Sequence, residues 1–106
     1  PVVPHLNAMV PEAQSAFLAD MARLGQAVVE LTSAIRINYA IFGNVEPALH
    51  AHVLPRFADE PEAMRAANPW GYDWNAARRF DAGRDGALLA ALRERLQSSR
   101  PVTCHP

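Results

Sequence analysis

The clearest periodic pattern of apolar positions lies in residues 11–33, where one stripe recurs at three- and four-residue spacings. This spacing predicts an amphipathic helix, and its stripe consists of Phe17, Leu18, Met21, Leu24, Val28 and Leu31. Pro11 suits the first helical position, and Glu12 suits the positive end of the helix dipole. Gly25 lowers the stability of this helix by about 1 kcal/mol relative to alanine. The six apolar stripe residues outweigh this loss. Leucines at helical spacing predict a second helix over about 84–98.

Between these helices the pattern changes to the two-residue alternation of strands. Residues 36–42 (RINYAIF) are rich in aromatic and β-branched side chains, which favour a half-buried strand. Residues 49–54 (LHAHVL) alternate between two faces, with His50 and His52 on the same face. The short GNVEP connection contains turn formers and predicts an antiparallel hairpin. Pro55 is expected to end the second strand.

The remaining segments carry weaker patterns. Residues 1–10 place β-branched residues between prolines and predict the end of an edge strand running into a loop. A chain that begins in mid-element suggests that residues before Pro1 are absent. Residues 56–75 are expected to be mostly irregular, and the proline-rich tail to be frayed. These elements predict one α+β domain over residues 1–106, a small antiparallel sheet packed by the long helix, with an extra C-terminal helix.

Composition narrows the class of protein. The chain has 106 residues, half of them apolar and a fifth charged, which is typical of a single globular domain. A net charge of −1 gives no broad electrostatic footprint for nucleic acid. The single cysteine, Cys104, excludes an internal disulfide framework. Because no apolar run reaches the ~20 residues that span a bilayer and no leader pattern is present, we expect no membrane partner and a cytoplasmic location.

Two histidines carry the candidate chemistry. His50 and His52 project from one face of the predicted strand, and a neutral imidazole is available as a nucleophile or base near neutral pH. Spacing alone leaves open two other interpretations, solvated surface histidines or two ligands of a metal. A metal site needs a third ligand, for which only His5, Asp59 or Glu60 are candidates.

The stretch NYAIFGNVEPALHAHVLPRFADEP resembles the signature region of the histidine triad family, whose strand reads His-φ-His-φ-His-φ-φ, with φ apolar. The second and third family histidines fall on His50 and His52, while the first falls on Ala48. Many bacterial members place a Gly-Asn turn before this strand and Pro-Arg after it, as this chain does. The resemblance covers about residues 1–75 and is specific around 38–61.

The resemblance implies a two-step transfer that needs no metal or other cofactor. The His50 imidazole attacks the α-phosphorus of a nucleotide and forms a covalent nucleotidyl-histidine, which water or another acceptor then releases. His52 donates to a non-bridging phosphate oxygen. Gly43 and Asn44 bind phosphate or the leaving group from the turn. The substrate is then a nucleoside phosphoramidate or a dinucleoside polyphosphate.

Three further residues are candidates for nucleotide or phosphate binding. His5 lies where some family members have an additional histidine, and Trp70 can close a pocket or pack on a partner subunit. The guanidinium of Arg56 suits oxyanions, but pairing with Asp59 or Glu60 is the favoured alternative. Four other aromatic side chains are expected to serve packing: Tyr39, Phe42, Tyr72 and Trp74.

The sequence departs from the family pattern in two ways. Only two of the three family histidines are present, because Ala48 replaces the first. The strands that usually begin the family domain are missing. A chain that lacks strands exposes more sheet edge, so we expect a homodimer. Two alternative functions remain open, a catalytically weak nucleotide-binding relative and an HxH metal-binding protein.

Overall fold

The structure is a computed structural model that describes residues 2–98; Cys104 and most of the tail lie outside this range. Its elements confirm the predicted α+β class, with a two-stranded antiparallel sheet, a long helix and a C-terminal helix. In chain order they are a 3-10 turn Leu6–Ala8, α1 Pro11–Leu31, β1 Arg36–Ala40, β2 His52–Arg56, α2 Glu62–Arg65, a 3-10 turn Pro69–Gly71 and α3 Ala82–Ser98.

Helix α1 begins at Pro11, as predicted, and ends two residues earlier than the pattern indicated. Thr32 ends it by adopting an extended conformation, with φ −133° and ψ −178°. The Thr32 hydroxyl donates to the carbonyl oxygen of Val28 at 2.7 Å and accepts from the N–H of Ala34 at 3.1 Å. These two bonds compete with further helical turns and direct the chain into β1.

The two strands are antiparallel, as predicted, but their bounds differ. Ala40 pairs with His52 and Arg36 pairs with Arg56, so β2 starts at His52 rather than at residue 49. The predicted start is wrong because the N–H of Leu49 donates to Val3 at 2.8 Å instead of joining the ladder with β1.

Pro55 lies inside β2 opposite Ile37, so the prediction that it ends the strand is also wrong. The sheet formed by residues 2–98 has two strands, which leaves one edge of β2 without a partner strand. A proline, which has no N–H to donate, is tolerated at such an edge.

The N-terminal segment is not the strand that its composition predicted. Leu6–Ala8 form a short 3-10 turn, and the carbonyl of Val3 supplies the one backbone contact to Leu49 described above. The side-chain amide of Gln14 donates to the carbonyl oxygens of Leu6 at 3.2 Å and Met9 at 3.0 Å. These bonds fold the segment back onto the first turn of α1.

Helix α1 packs against both the sheet and α3, and its buried side is small. Within the described range, the buried apolar residues are Ala27 and Val28. Arg23 joins α1 to α3 by donating to the carbonyl oxygen of Leu96 at 2.8 Å, and Arg95 of α3 pairs with Glu30. No helix in this part of the chain is long and apolar enough to cross a membrane.

Candidate active site

His50 and His52 line one cleft, hereafter the histidine cleft, with a volume of about 420 Å³. Its other walls are residues 42–46 of the loop after β1 and Trp70 from the Pro69–Gly71 turn. The structure therefore brings together four of the residues that the sequence nominated besides His50: Gly43, Asn44, His52 and Trp70.

The orientation of the His50 ring is set by a backbone carbonyl. Its Nδ1 lies 2.8 Å from the carbonyl oxygen of Ala48. Since a carbonyl oxygen only accepts, this bond requires that Nδ1 carries the proton, which leaves Nε2 with a free lone pair in the neutral ring. The Ala48 peptide is itself held, because its N–H donates to Oε1 of Glu46 at 3.1 Å.

His52 occupies the first position of β2, and its ring stands among other rings. The centroid of the His52 ring lies 5.2 Å from that of His50 and 5.1 Å from that of Trp70, with edge-to-face geometry in both pairs. Phe42 packs edge-to-face on Trp70 at 4.8 Å. Such contacts favour fixed ring orientations and so define one wall of the cleft.

The loop opposite these rings turns at Gly43, whose φ of +78° lies in the region that favours glycine. Asn44, the next residue, is exposed and lines the cleft. Its side-chain amide is therefore accessible to a ligand there. The turn predicted from the Gly-Asn sequence thus lies beside both histidines.

The guanidinium of Arg56, nominated as a phosphate ligand, is engaged within the chain. All three nitrogens of its guanidinium donate within the chain, to both carboxylate oxygens of Glu60, to Oδ1 of Asn38 and to the carbonyl oxygens of Met64 and Ala67. Arg56 is 6% exposed. The alternative pairing with Glu60 is the one observed, at 3.0 Å.

Glu60 is held as firmly as its partner. Its carboxylate also accepts from the N–H of Phe57 at 2.8 Å and from the hydroxyl of Tyr72 at 2.7 Å. The hydrogen bond from Arg56, together with those from Phe57 and Tyr72, lowers the pKa of Glu60 to about 2. Burial and the bond to Glu60 raise the pKa of Tyr72. Glu60 is therefore a structural anion in this fold.

His5 is also not brought to the candidate site. It is exposed ahead of the Leu6–Ala8 turn and does not line the histidine cleft. No group of three His, Cys, Asp or Glu side chains between residues 2 and 98 is arranged to hold a metal ion. His50 and His52 thus gain no third ligand from His5, Asp59 or Glu60.

Besides Val45, two residues of the cleft were not among those nominated from the sequence. Glu46 holds the peptide that orients His50, and Phe42, assigned to packing, forms a wall of the cleft and is 56% exposed. The signal for Glu46 was its position between the Gly-Asn turn and the histidines. Phe42 gave no such signal, because an aromatic residue at the end of a strand is most often a packing residue.

Neither a protein-family model nor a curated protein matches this sequence. Solved structures do match it. A histidine triad protein from Bradyrhizobium japonicum has a TM-score of 0.71 and 22% identity, with 91% of this chain and 69% of that one covered. One from Sinorhizobium meliloti 1021 has a TM-score of 0.74 and 20% identity, with 88% and 66% covered.

A histidine triad protein from Marinobacter aquaeolei VT8 is similar at a TM-score of 0.69 and 23% identity, with 91% of this chain and 67% of that one covered. This chain therefore has the histidine triad fold. It spans about two thirds of the length of each of the three proteins.

Proposed function

We propose that this protein is a nucleotide hydrolase or nucleotidyl transferase that acts through a covalent nucleotidyl-histidine on His50. The observation that carries the proposal is the bond from Nδ1 of His50 to the carbonyl of Ala48. It leaves Nε2 unprotonated beside a cleft that also contains His52 and Asn44. A ring in this tautomer is ready to act as a nucleophile without first losing a proton.

In the first step, the Nε2 lone pair of His50 forms a bond to the α-phosphorus, and the bond from phosphorus to the leaving group breaks. The leaving group departs with the bonding electron pair and takes a proton from water. His52 and Asn44 donate hydrogen bonds to phosphate oxygens, where charge develops in the transition state. In the second step, water attacks the phosphorus and the P–N bond breaks to return neutral His50. The attacking water releases a proton to solvent, which replaces the proton that the leaving group took. The substrate is a nucleoside phosphoramidate or a dinucleoside polyphosphate.

The test is intact-mass spectrometry after neutral quenching, with an adenosine phosphoramidate and with diadenosine tetraphosphate. Wild-type protein is expected to show an adenylyl adduct or turnover, and His50→Ala to show neither. His5→Ala provides the matched control, because it removes an exposed histidine outside the cleft. Equal activity of His50→Ala and wild type would refute the role of His50.

A second function is favoured by Ala48, which stands where the family has its first histidine. In that case the protein binds nucleotides but turns them over very slowly. Binding of AMP by calorimetry, combined with no adduct and no turnover in wild type, would select this function over catalysis.

We further propose that the protein forms a homodimer. The support is the small buried core together with large apolar side chains at the surface, which include Ile35 at 61% and Phe80 at 64% exposure. A chain of this size buries a smaller share of its surface than a larger chain does, and a second copy would cover more of it. Light scattering that shows a stable monomer at all accessible concentrations would contradict this.

A further inference from the structure

A second and larger cavity, hereafter the strand groove, runs along β1. It has a volume of about 720 Å³, with residues 36–42 on one side and residues 65–70 on the other. Arg56 lies at its base, where its guanidinium is fully engaged within the chain. Neither His50 nor His52 lines this groove.

The strand groove adjoins the histidine cleft. Phe42 and Trp70 line both cavities, and their rings are in contact with each other. Trp70 also contacts His52. A ligand held at the histidines and longer than a single nucleotide therefore has the strand groove beside it, across these two rings.

The far end of the groove is cationic. Arg36 and Arg65 line both the strand groove and a smaller cavity of about 330 Å³ beyond it, which Glu60 also lines. The charge of Glu60 is matched by Arg56, so the two exposed arginines are uncompensated by the acidic side chains that line these cavities. The chain as a whole has a net charge of −1. The positive charge at this end of the groove is therefore local and does not reflect a basic protein.

The side chains of both arginines are available to a ligand. No side-chain hydrogen bond or ion pair of Arg36 is found within residues 2–98, and the bond from Nε of Arg65 to the carbonyl of Glu60 is long, at 3.4 Å. A guanidinium presents a planar fork of donors that fits phosphate oxygens. Two such forks in one cavity match the chemistry of a phosphate group.

Register gives the distance from this end to the histidines. Ala40 is opposite His52, and Arg36 is opposite Arg56, so the two pairs are four positions apart along the strands, or roughly 13 Å. We propose that Arg36 and Arg65 form an anion subsite for a phosphate group at the distal end of the leaving group. The leaving group is then extended and anionic, such as a polyphosphate or a second nucleotide, rather than a small uncharged amine. This inference rests on the proposed function for its link to His50.

Direct binding tests the subsite without any turnover. Inorganic tripolyphosphate is titrated by calorimetry into wild type, into Arg36→Gln/Arg65→Gln, and into Arg78→Gln/Arg93→Gln, which removes two exposed arginines elsewhere. Loss of two charge-assisted contacts is expected to weaken binding at least about tenfold in the first variant, with little change in the second. Equal affinity of the first variant and wild type overturns the proposal, as does the absence of binding to wild type.

Kinetics then test the link to the leaving group. For Arg36→Gln/Arg65→Gln, the KM for diadenosine tetraphosphate is expected to rise at least about tenfold, while the KM for an adenosine phosphoramidate with an uncharged amine stays near that of wild type. Parallel changes with both substrates would overturn the proposal. If wild type turns over neither substrate, the proposed function fails, whereas the tripolyphosphate titration still decides whether the subsite exists.

Discussion

The ring of His50 is held by a backbone carbonyl, and the peptide of that carbonyl is held by Glu46. The Glu46 carboxylate thus fixes the Ala48 peptide through its N–H, and the carbonyl of Ala48 fixes the His50 ring through Nδ1. In the histidine triad pattern that this sequence resembles, the first histidine falls on Ala48. In this chain, Glu46 supplies an ordering contact from two residues earlier.

Replacement of Glu46 by alanine is therefore expected to loosen the Ala48 peptide and to allow the other tautomer of His50. Loss of one hydrogen bond of about 1 kcal/mol corresponds to a fall of about fivefold in the rate of adduct formation. ¹⁵N NMR of the imidazole reports the tautomer directly. Glu46→Gln keeps an acceptor oxygen and is expected to behave like wild type; identical tautomer populations in Glu46→Ala and wild type would contradict the positioning role.

The close approach of the Tyr39 side chain to Gly25 of α1 is a second contact at the scale of single residues. A Cβ added at Gly25 would meet the hydroxyl of Tyr39 and lie 2.9 Å from its Cζ. Gly25→Ala is therefore expected to destabilise the protein by about 1–3 kcal/mol, although alanine favours helix. Gly86→Ala in α3 is the matched control, because nothing lies within 4 Å of its added Cβ; it is expected to stabilise by about 0.5–1 kcal/mol. Urea unfolding measures both, and shifts of the same sign would contradict the packing argument.

At the scale of elements, periodicity predicted which elements exist better than where they end. The apolar stripe of α1 and the leucines of α3 correspond to helices within two residues at each end. The start of β2 was missed because it depends on Val3, which is distant in sequence and takes the N–H of Leu49. The histidines were identified from a local motif. The engagement of Arg56 could not be, because its four partner residues lie on β1 and in the segment after β2.

The bonds around Arg56 join β1, β2 and the segment from Phe57 to Tyr72, and they have a defined pH dependence. Because the pKa of Glu60 is lowered from 4.5 to about 2 in the folded state, its contribution to stability is complete above pH 4.5. This contribution is lost as the pH falls toward 2. The Tm of wild type is therefore expected to fall by on the order of 5 °C more than that of Glu60→Gln over this window.

Differential scanning fluorimetry at steps between pH 6 and 2 is the measurement. Glu62→Gln is the matched control, because Glu62 is exposed on α2, and it is expected to follow wild type. A constant difference in Tm between Glu60→Gln and wild type across this window would contradict the ionic role of Glu60.

At the scale of the whole molecule, the polar network around Arg56 is extensive, whereas the buried apolar core is small. The buried set within residues 2–98 comprises Gly25, Ala27, Val28, Arg56 and Pro69. Exposed apolar side chains are present on α1, β1 and α3. A protein with this distribution gains stability from any second copy that covers part of its apolar surface.

If the proposed dimer contributes to folding, stability must depend on protein concentration. Mass action then predicts that Tm rises by several degrees when the concentration increases about a hundredfold. Calorimetric scans at two heating rates separate this effect from irreversible unfolding, which changes Tm with scan rate. A Tm that is independent of concentration at both rates would show that the folded monomer is stable alone, and the small core of the described residues would then suffice. A rise with concentration would instead mean that the exposed apolar surface is an interface on which this fold depends.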